Sequence, residues 1–583
     1  MDVNKFGEGV ALFMRETYRK FATIRSKHRD DIIDVPFWDV VVLTASDADQ
    51  KLAYESQLAG KLRRREIPRG VDYLVFADPP GPKIGCGGAT MHVVAQLTDI
   101  YAERLDALRI LLINAGGQSQ RLASASALGK VFTALPMGDP PWQVLELKLA
   151  AYLPLLARMG PGYLHAASDT VEVFDLRGGE GSDGREFPGW NFRRPGLTAL
   201  AHPSGLGIGS THGVFVFGHG PSPATATAEF RTCIEVLQKP SVDVMRRKGA
   251  VLRDGSSEEI VYTDSLYYFD HGFARRLLEF FRAECPLLCE IDGYGDFMQP
   301  LGENASEDFA CDTRNVTDVN DHLVPTRLRL YRHLRGSPFH VVAADASRFF
   351  HVGTTREYLH NFGSDADLAT YAGFEDRVFL EVPDGFVNGG RVVHAILRAP
   401  AIIGHSSVVE YCRFDAPLIV GPNCIVSHCS SKSGVIVPPN TFLHTVPLRP
   451  VAETSRGTEY ATLVFHIDDD VKAKAGVEAL SSLKFLARPL SETVAGSVSD
   501  ATLFSADASG QHVRSLWFAR FFAVKSSMHD AFDAALRLAI GNKKLDYGLE
   551  ESAEFVSAFE VFWRKDVRSM LDYVEQLRDS IRH

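Results

Sequence analysis

Three stretches of the chain, AIIGHSSVV, LIVGPNCIV and VIVPPNTFL, superpose at a constant shift of 17 residues. Ile402, Ile419 and Ile436 fall together, as do Ile403, Val420 and Val437, then Gly404, Gly421 and Pro438, with Val408, Ile425 and Phe442 next in line. Apolar positions that recur at a fixed interval, with short turns between them, are what stacked coils need in order to bury a common core. A period near three hexapeptides therefore predicts a parallel β-helix with these positions turned inward. A β-sandwich with accidental spacing is the alternative. Cys412, Cys424, Cys429, His405 and His428 lie among the coils at irregular intervals and read as packing and surface rather than a metal site.

The coils follow a different texture. Strand candidates at 38–46, 73–78, 110–115 and 162–169 alternate with helices after Asp49, after Gly88 and around QVLELKLAAYLPLLARM, which predicts an α/β domain with a mostly parallel sheet and ligands at the strands' carboxyl ends. A length of 583 residues, at ~150 per domain, suggests about four domains. We place them at 1–34, a helical lead; 35–360, the sheet domain; 361–455, the β-helix; and 456–583, a mixed, largely helical region.

Charge removes some functions. With 73 acidic and 62 basic residues the net charge is -11, so the surface lacks the basic footprint of nucleic-acid binders, and bound phosphate must meet a local cluster. No apolar run approaches the ~20 residues needed to span a bilayer. The start reads as an amphipathic helix without a cleavage site, so no membrane association and a cytoplasmic location are expected. Eight cysteines without a CxxC pair suggest neither disulfides nor zinc, and the sequons at Asn304 and Asn315 read as chance matches.

The stretch LLINAGGQSQRLASASALGK, at 111–130, carries the most specific chemistry. It is not a Walker loop, because Ser124 and Val131 stand where that loop needs glycine and Ser or Thr, and it lacks the dinucleotide GxGxxG. Two glycines at a strand end let backbone N–H groups approach a phosphate, while Arg121 offers a forked donor and Lys130 a mobile point charge. That combination suits a nucleoside triphosphate; a tight turn with surface charges is the plainer reading. The second cluster, Gly85-Cys86-Gly87-Gly88, precedes a helix and offers further N–H groups to the anion or the base.

Strand, Gly-Gly, three residues, Arg, then Lys nine further on resembles the signature loop of the sugar-1-phosphate nucleotidyltransferases. Longer phrases, FWDVVVLTASDADQKLAYESQL, GPKIGCGGATMHVV, INAGGQSQRLASASALGKVFTALPMG, GLTALAHPSGLGIGSTHGVFVF and HVGTTREYL, are similar to the fucose-1-phosphate guanylyltransferase (GDP-L-fucose pyrophosphorylase) family, and the likeness runs from about residue 35 to the C-terminus. The resemblance implies a Rossmann-like nucleotidyltransferase sheet followed by a left-handed β-helix. It also implies transfer of GMP from GTP to L-fucose 1-phosphate, or D-arabinose 1-phosphate, with release of pyrophosphate. In that light Arg121, Lys130 and Asp169 are the catalytic candidates, and Gly116, Gly117, Gln118, Ser119, Gly87 and Gly88 the nucleotide-binding ones. Magnesium or manganese is the implied cofactor, with Asp169, at the end of an apolar strand, and Asp264 on a later one as its ligands. Lys239 in LQKPS resembles the EKP phrase of relatives, with Gln238 where they carry Glu; Gly209, Thr211, His212 and Gly213 are placed near the sugar. A homo-oligomer through a β-helix face is the expected protein partner.

Two other function classes compete. One is a noncatalytic, nucleotide-binding regulatory subunit, which the joint presence of Arg121, Lys130, Asp169 and Lys239 argues against. The other is the pyrophosphorylase half of a bifunctional sugar kinase and pyrophosphorylase, although these 583 residues contain no kinase-type phosphate loop.

Overall fold

The computed structural model describes residues 3–33, 35–176, 190–218, 228–253, 258–314, 316, 319–363, 367–383, 386–451, 457–476, 482–494, 498–507, 510–541, 545 and 554–582. The boundary placed at 455/456 and the Asn315 sequon fall outside them. The chain forms two compact units, 1–117 with 145–351 and 118–144 with 352–583.

In the first unit a mixed sheet contains β1 (Val40–Ala45), β2 (Asp72–Ala77), β3 (Arg109–Asn114), β4 (Gly162–Ala167), β5 (Leu197–Gly205), β6 (Glu229–Arg231), β7 (Glu259–Phe269) and β8 (Phe339–Ala343), in the order β2-β1-β3-β4-β7-β5-β8-β6. The first four strands are parallel, and their registers bring Ala45, Ala77, Asn114 and Ala167 to the sheet's carboxyl edge. β1 is buried along its whole length, VVVLTA, as a parallel strand covered on both faces should be. Beyond these four, β5 and β8 also pair in parallel, while β7 and β6 are reversed, so the expected parallel sheet is found as a mixed one. β7 runs antiparallel between β4 and β5, and its register shifts between Asp264 and Tyr267, a bulge of the kind that re-aims side chains beside functional sites.

Helix α1 (Val3–Ile24) lays Phe13 against Phe174 of the strand after β4, with ring centroids 6.3 Å apart. Helices α2 (Ala48–Arg64), α3 (Gly85–Tyr101) and α4 (His271–Glu284) belong to the same unit. Met91, Val94 and Leu97 of α3 join Val40, Ile110, Tyr163, Phe269 and Leu277 in one buried cluster. Burying each such side chain contributes roughly 1.5–3 kcal/mol.

In the second unit the 17-residue shift is the register of real ladders: Ala401 pairs with Leu418 and that with Val435, while Val408 pairs with Ile425 and that with Phe442, all in parallel. Ile403, Val420, Val437, Val408, Ile425 and Phe442 are buried as expected. Ile402, Ile419 and Ile436 are not: they are 48%, 41% and 63% exposed, in line with Val387 at 57%. A strand of three residues turns its first and third side chains to one side and its second to the other, so the inward assignment fails for that column. Cys412, Cys424 and Cys429 are buried in the coils. The last coil strand, Thr441–Leu448, turns into an antiparallel pair with Glu459–His466, and helices α5 (Met528–Ile540) and α6 (Val567–Arg582) follow. Among the described residues no helix is long and apolar enough to cross a membrane.

Candidate active site

At the carboxyl edge of the first unit's sheet, the turn after β3 is held from below by β1 and α2. The Thr44 hydroxyl accepts from the amides of Ala115 and Gly116 at 3.1 and 3.3 Å. Tyr54 donates to the Ala115 carbonyl at 2.7 Å and Gln50 to the Gly117 carbonyl at 3.0 Å. A Cβ on Gly116 would lie 3.1 Å from the backbone of Ala45 and Ser46, so that glycine is needed for the close approach of two strand ends. Gly117 is needed for its φ of +129° and faces open space. Asn114 extends the edge through its amide, 2.6 Å from His165 Nε2 and 3.4 Å from the Cys86 carbonyl.

The second glycine cluster is shaped by packing. The Gly87 amide donates to the Ile291 carbonyl at 2.8 Å, and side chains at Gly87 or Gly88 would press on Ile291, Ile84 and Leu287 at 2.9 Å or less. The backbone of 291–293 thereby reaches the start of α3. Cys86 Sγ accepts from the Gly293 amide, and Asp292 accepts from Gln238 Nε2 at 3.1 Å.

Residues far apart in the chain continue the wall. Gly213 donates its amide to Asp264 at 3.0 Å, and a Cβ there would collide with the Asp264 carboxyl, whose Cγ is 2.7 Å away. Burial, then the nearby Asp292, push the Asp264 carboxyl up to about 7, while the Gly213 amide and Lys239 oppose the shift. Lys239, with φ +46°, donates its amide to the His212 carbonyl at 3.1 Å. The His212 ring stands edge-on to His351 at 5.3 Å, and His351 Nε2 lies 3.6 Å from Asp169. Thr211 is turned toward His212 Nδ1 at 2.9 Å, whereas Gly209 packs on Val261 and Met245. Beneath Asp169, buried Lys148 donates to the Thr170 carbonyl at 2.7 Å and lies 3.6 Å from Glu172. Asp169, His212, Gly213, Lys239 and Asp264 are thus joined through direct contacts, with His351 and Asp292 as members that reading the chain missed.

Gln118, Ser119, Arg121 and Lys130 belong to the second unit. There the Arg121 carbonyl accepts from the Thr355 amide at 2.8 Å, and Lys130 Nζ donates to the Gly353 carbonyl at 3.3 Å. Thr354 caps the helix Thr355–Phe362, whose Glu357 accepts from the Gly353 amide at 3.1 Å. The Arg121 side chain is exposed. The phrase HVGTTREYL therefore anchors the basic half of the signature loop.

A family profile described as the fucose pyrophosphorylase domain matches residues 102–527. The chain belongs to that family. Fucose-1-phosphate guanylyltransferase of Homo sapiens is 37% identical over 96% of this chain and 93% of its own length, and that of Mus musculus 38% identical over 96% and 95%. The bifunctional fucokinase/GDP-fucose pyrophosphorylase of Arabidopsis thaliana is 30% identical over 38% of this chain and 22% of its own length. In this fucose pyrophosphorylase family member the matched span takes in Gly116, Gly117, Arg121, Lys130, Asp169, Lys239 and Asp264, while Gly87 and Gly88 precede it.

Proposed function

We propose that this chain transfers GMP from GTP to L-fucose 1-phosphate, forming GDP-fucose and pyrophosphate, and that D-arabinose 1-phosphate is a second acceptor. The likeness to guanylyltransferases over 96% of the chain carries the reading. The contact-linked set Asp169, His212, Lys239 and Asp264 at the sheet's carboxyl edge supports it. A phosphate oxygen of the sugar 1-phosphate attacks the α-phosphorus of GTP in line; the bond to the β-phosphate oxygen breaks, and pyrophosphate carries away the electron pair. The acceptor is already ionised near neutral pH, so no general base is required and His212 has no acid or base role.

What the protein must do is bring two anions together and neutralise charge as it develops. Backbone N–H groups of Gly116, Gly117, Gln118 and Ser119 cradle the phosphates, with Arg121 and Lys130 as their cations. Lys239 faces the sugar phosphate, and Thr211, His212 and Gly213 the sugar, with Gly209 packed on Val261 and Met245 behind them; Gly87 and Gly88 set the start of α3 beside the nucleotide. Asp169 and Asp264 offer the hard oxygen donors that suit magnesium or manganese. Such a cation, when bound, supplies charge neutralisation between the phosphates.

The parallel ladders of the second unit support a left-handed β-helix over 361–455, between a catalytic domain at 35–360 and a C-terminal domain at 456–583. The outward column of Val387, Ile402, Ile419 and Ile436 is the face through which we pair two copies, and we place the protein in the cytoplasm. The experiment is a panel of nucleoside triphosphates against sugar 1-phosphates with magnesium, read by pyrophosphate release. GTP with fucose 1-phosphate should be the best pair; a noncatalytic subunit releases none.

A further inference from the structure

The carboxylate of Asp78 stands at the open edge of the sheet with no hydrogen-bond or ion-pair partner among the described residues. It directly follows β2, the edge strand, and its amide continues the β1–β2 ladder by donating to the Ala45 carbonyl at 2.8 Å. Gly116 abuts the same residue, Ala45, from the β3 side. Asp78 and the phosphate turn therefore flank the end of β1, two strand spacings or about 10 Å apart. That is the reach of one nucleoside lying across β1. Pro79 follows Asp78, and the residue before a proline is held extended, so the carboxylate is presented in a restricted position. Beyond it 79–83 is exposed.

The neighbouring acid cannot serve in its place. Asp47 caps α2, accepting from the Gln50 amide at 2.7 Å and from the Ser46 hydroxyl at 3.0 Å. Burial, and then Asp47, push the Asp78 carboxyl up to about 7, as befits an acid whose donors are still to arrive.

We propose that Asp78 reads the base: its ionised carboxylate accepts the N1–H and the exocyclic N2–H of guanine, two donors that stand side by side on one edge of the ring. No other common base presents that pair. Adenine and cytosine place an acceptor where guanine has N1–H, and uracil flanks its one N–H with carbonyls, so each would leave a half-buried carboxylate facing an acceptor. This rests on the guanylyl-transfer reading above and adds the residue that makes the transfer specific for guanine.

The test compares GTP with inosine triphosphate, which lacks the N2 amine, and xanthosine triphosphate, which carries a carbonyl there. It uses the full chain with fucose 1-phosphate and pyrophosphate readout, alongside calorimetric titration of each nucleotide without the sugar. The unaltered protein should prefer GTP to inosine triphosphate by about 10- to 100-fold, the worth of one charge-assisted hydrogen bond. In Asp78→Asn the side-chain amide donates to the xanthine carbonyl while its oxygen still accepts N1–H, so the preference should invert toward xanthosine triphosphate. Equal use of GTP and inosine triphosphate by the unaltered protein overturns the proposal, and so does a GTP to xanthosine triphosphate ratio unchanged in Asp78→Asn. If that variant does not fold, the inosine comparison decides alone. If pyrophosphate is never released, the transfer reading fails, while the titration ratios still decide on Asp78.

Discussion

Replacing Gly213 by alanine tests how tightly Asp264 is held. The new Cβ would stand 2.7 Å from the Asp264 Cγ, where van der Waals contact needs well over 3 Å, and closer still to one carboxylate oxygen. Asp264 is 5% exposed and cannot swing into solvent, so either the strand carrying Gly213 or the carboxylate must move, and the 3.0 Å bond from the Gly213 amide is stretched or lost. A hydrogen bond to a charged group is worth about 1.5–3 kcal/mol, and overpacking costs about 1–3 kcal/mol. Stability should therefore fall by roughly 2.5–6 kcal/mol. If Asp264 serves the phosphates, about 3 kcal/mol of misplacement is near two powers of ten in kcat at about 1.4 kcal/mol per tenfold. The assay is pyrophosphate release beside a melting curve, with Leu277→Ala as a control: Leu277 is fully buried in the core, and its truncation costs about 2–5 kcal/mol of stability without touching the wall. Should Gly213→Ala keep kcat within about threefold of the unaltered protein while melting like the control, the role given to Asp264 is wrong.

Other outcomes follow from the same contacts. Lys130→Ala and Asp169→Ala should each lower kcat by about three powers of ten with little change in melting temperature, measured by pyrophosphate release at saturating GTP. Acid should unfold the protein through its buried histidines: burial lowers His165 and His444 to about 3 and His202 to about 4. Each stays neutral in the native state while its unfolded counterpart, near 6.5, takes up a proton. Stability present above about pH 6.5 is then lost as pH falls toward 4, by about 1.4 kcal/mol per histidine per pH unit, and melting temperatures that stay flat from pH 7 to 5 would contradict this. Ile419→Lys, in the middle of the exposed aliphatic column, should shift the sedimentation or light-scattering mass from oligomer to monomer without loss of kcat.

Much of the candidate site was legible because the chemistry proposed for it is local. A strand ending in Asn114, then Gly116 and Gly117, is a turn whichever way the chain folds, and Arg121 and Lys130 follow at fixed intervals. Residues that act from a distance left no such mark. Thr44, Gln50 and Tyr54 hold the glycine turn through hydrogen bonds spanning some 60 to 70 residues, and His351 reaches Asp169 from 182 positions away. A weak cue existed in TAS at the end of β1, a hydroxyl where parallel strands end, but nothing in it names the partner.

By itself the chain determined the first four strands and the helices between them, the 17-residue register of the coils and the glycine turn, since each depends on side-chain periodicity or backbone freedom within a few residues. Tertiary structure decided the rest: which aliphatic column of the coils meets water, which amide holds Asp264, and which carboxylate at the sheet edge has no partner among the described residues. Burial and pairing are properties of what comes to lie alongside, and that is settled only when distant strands close on one another.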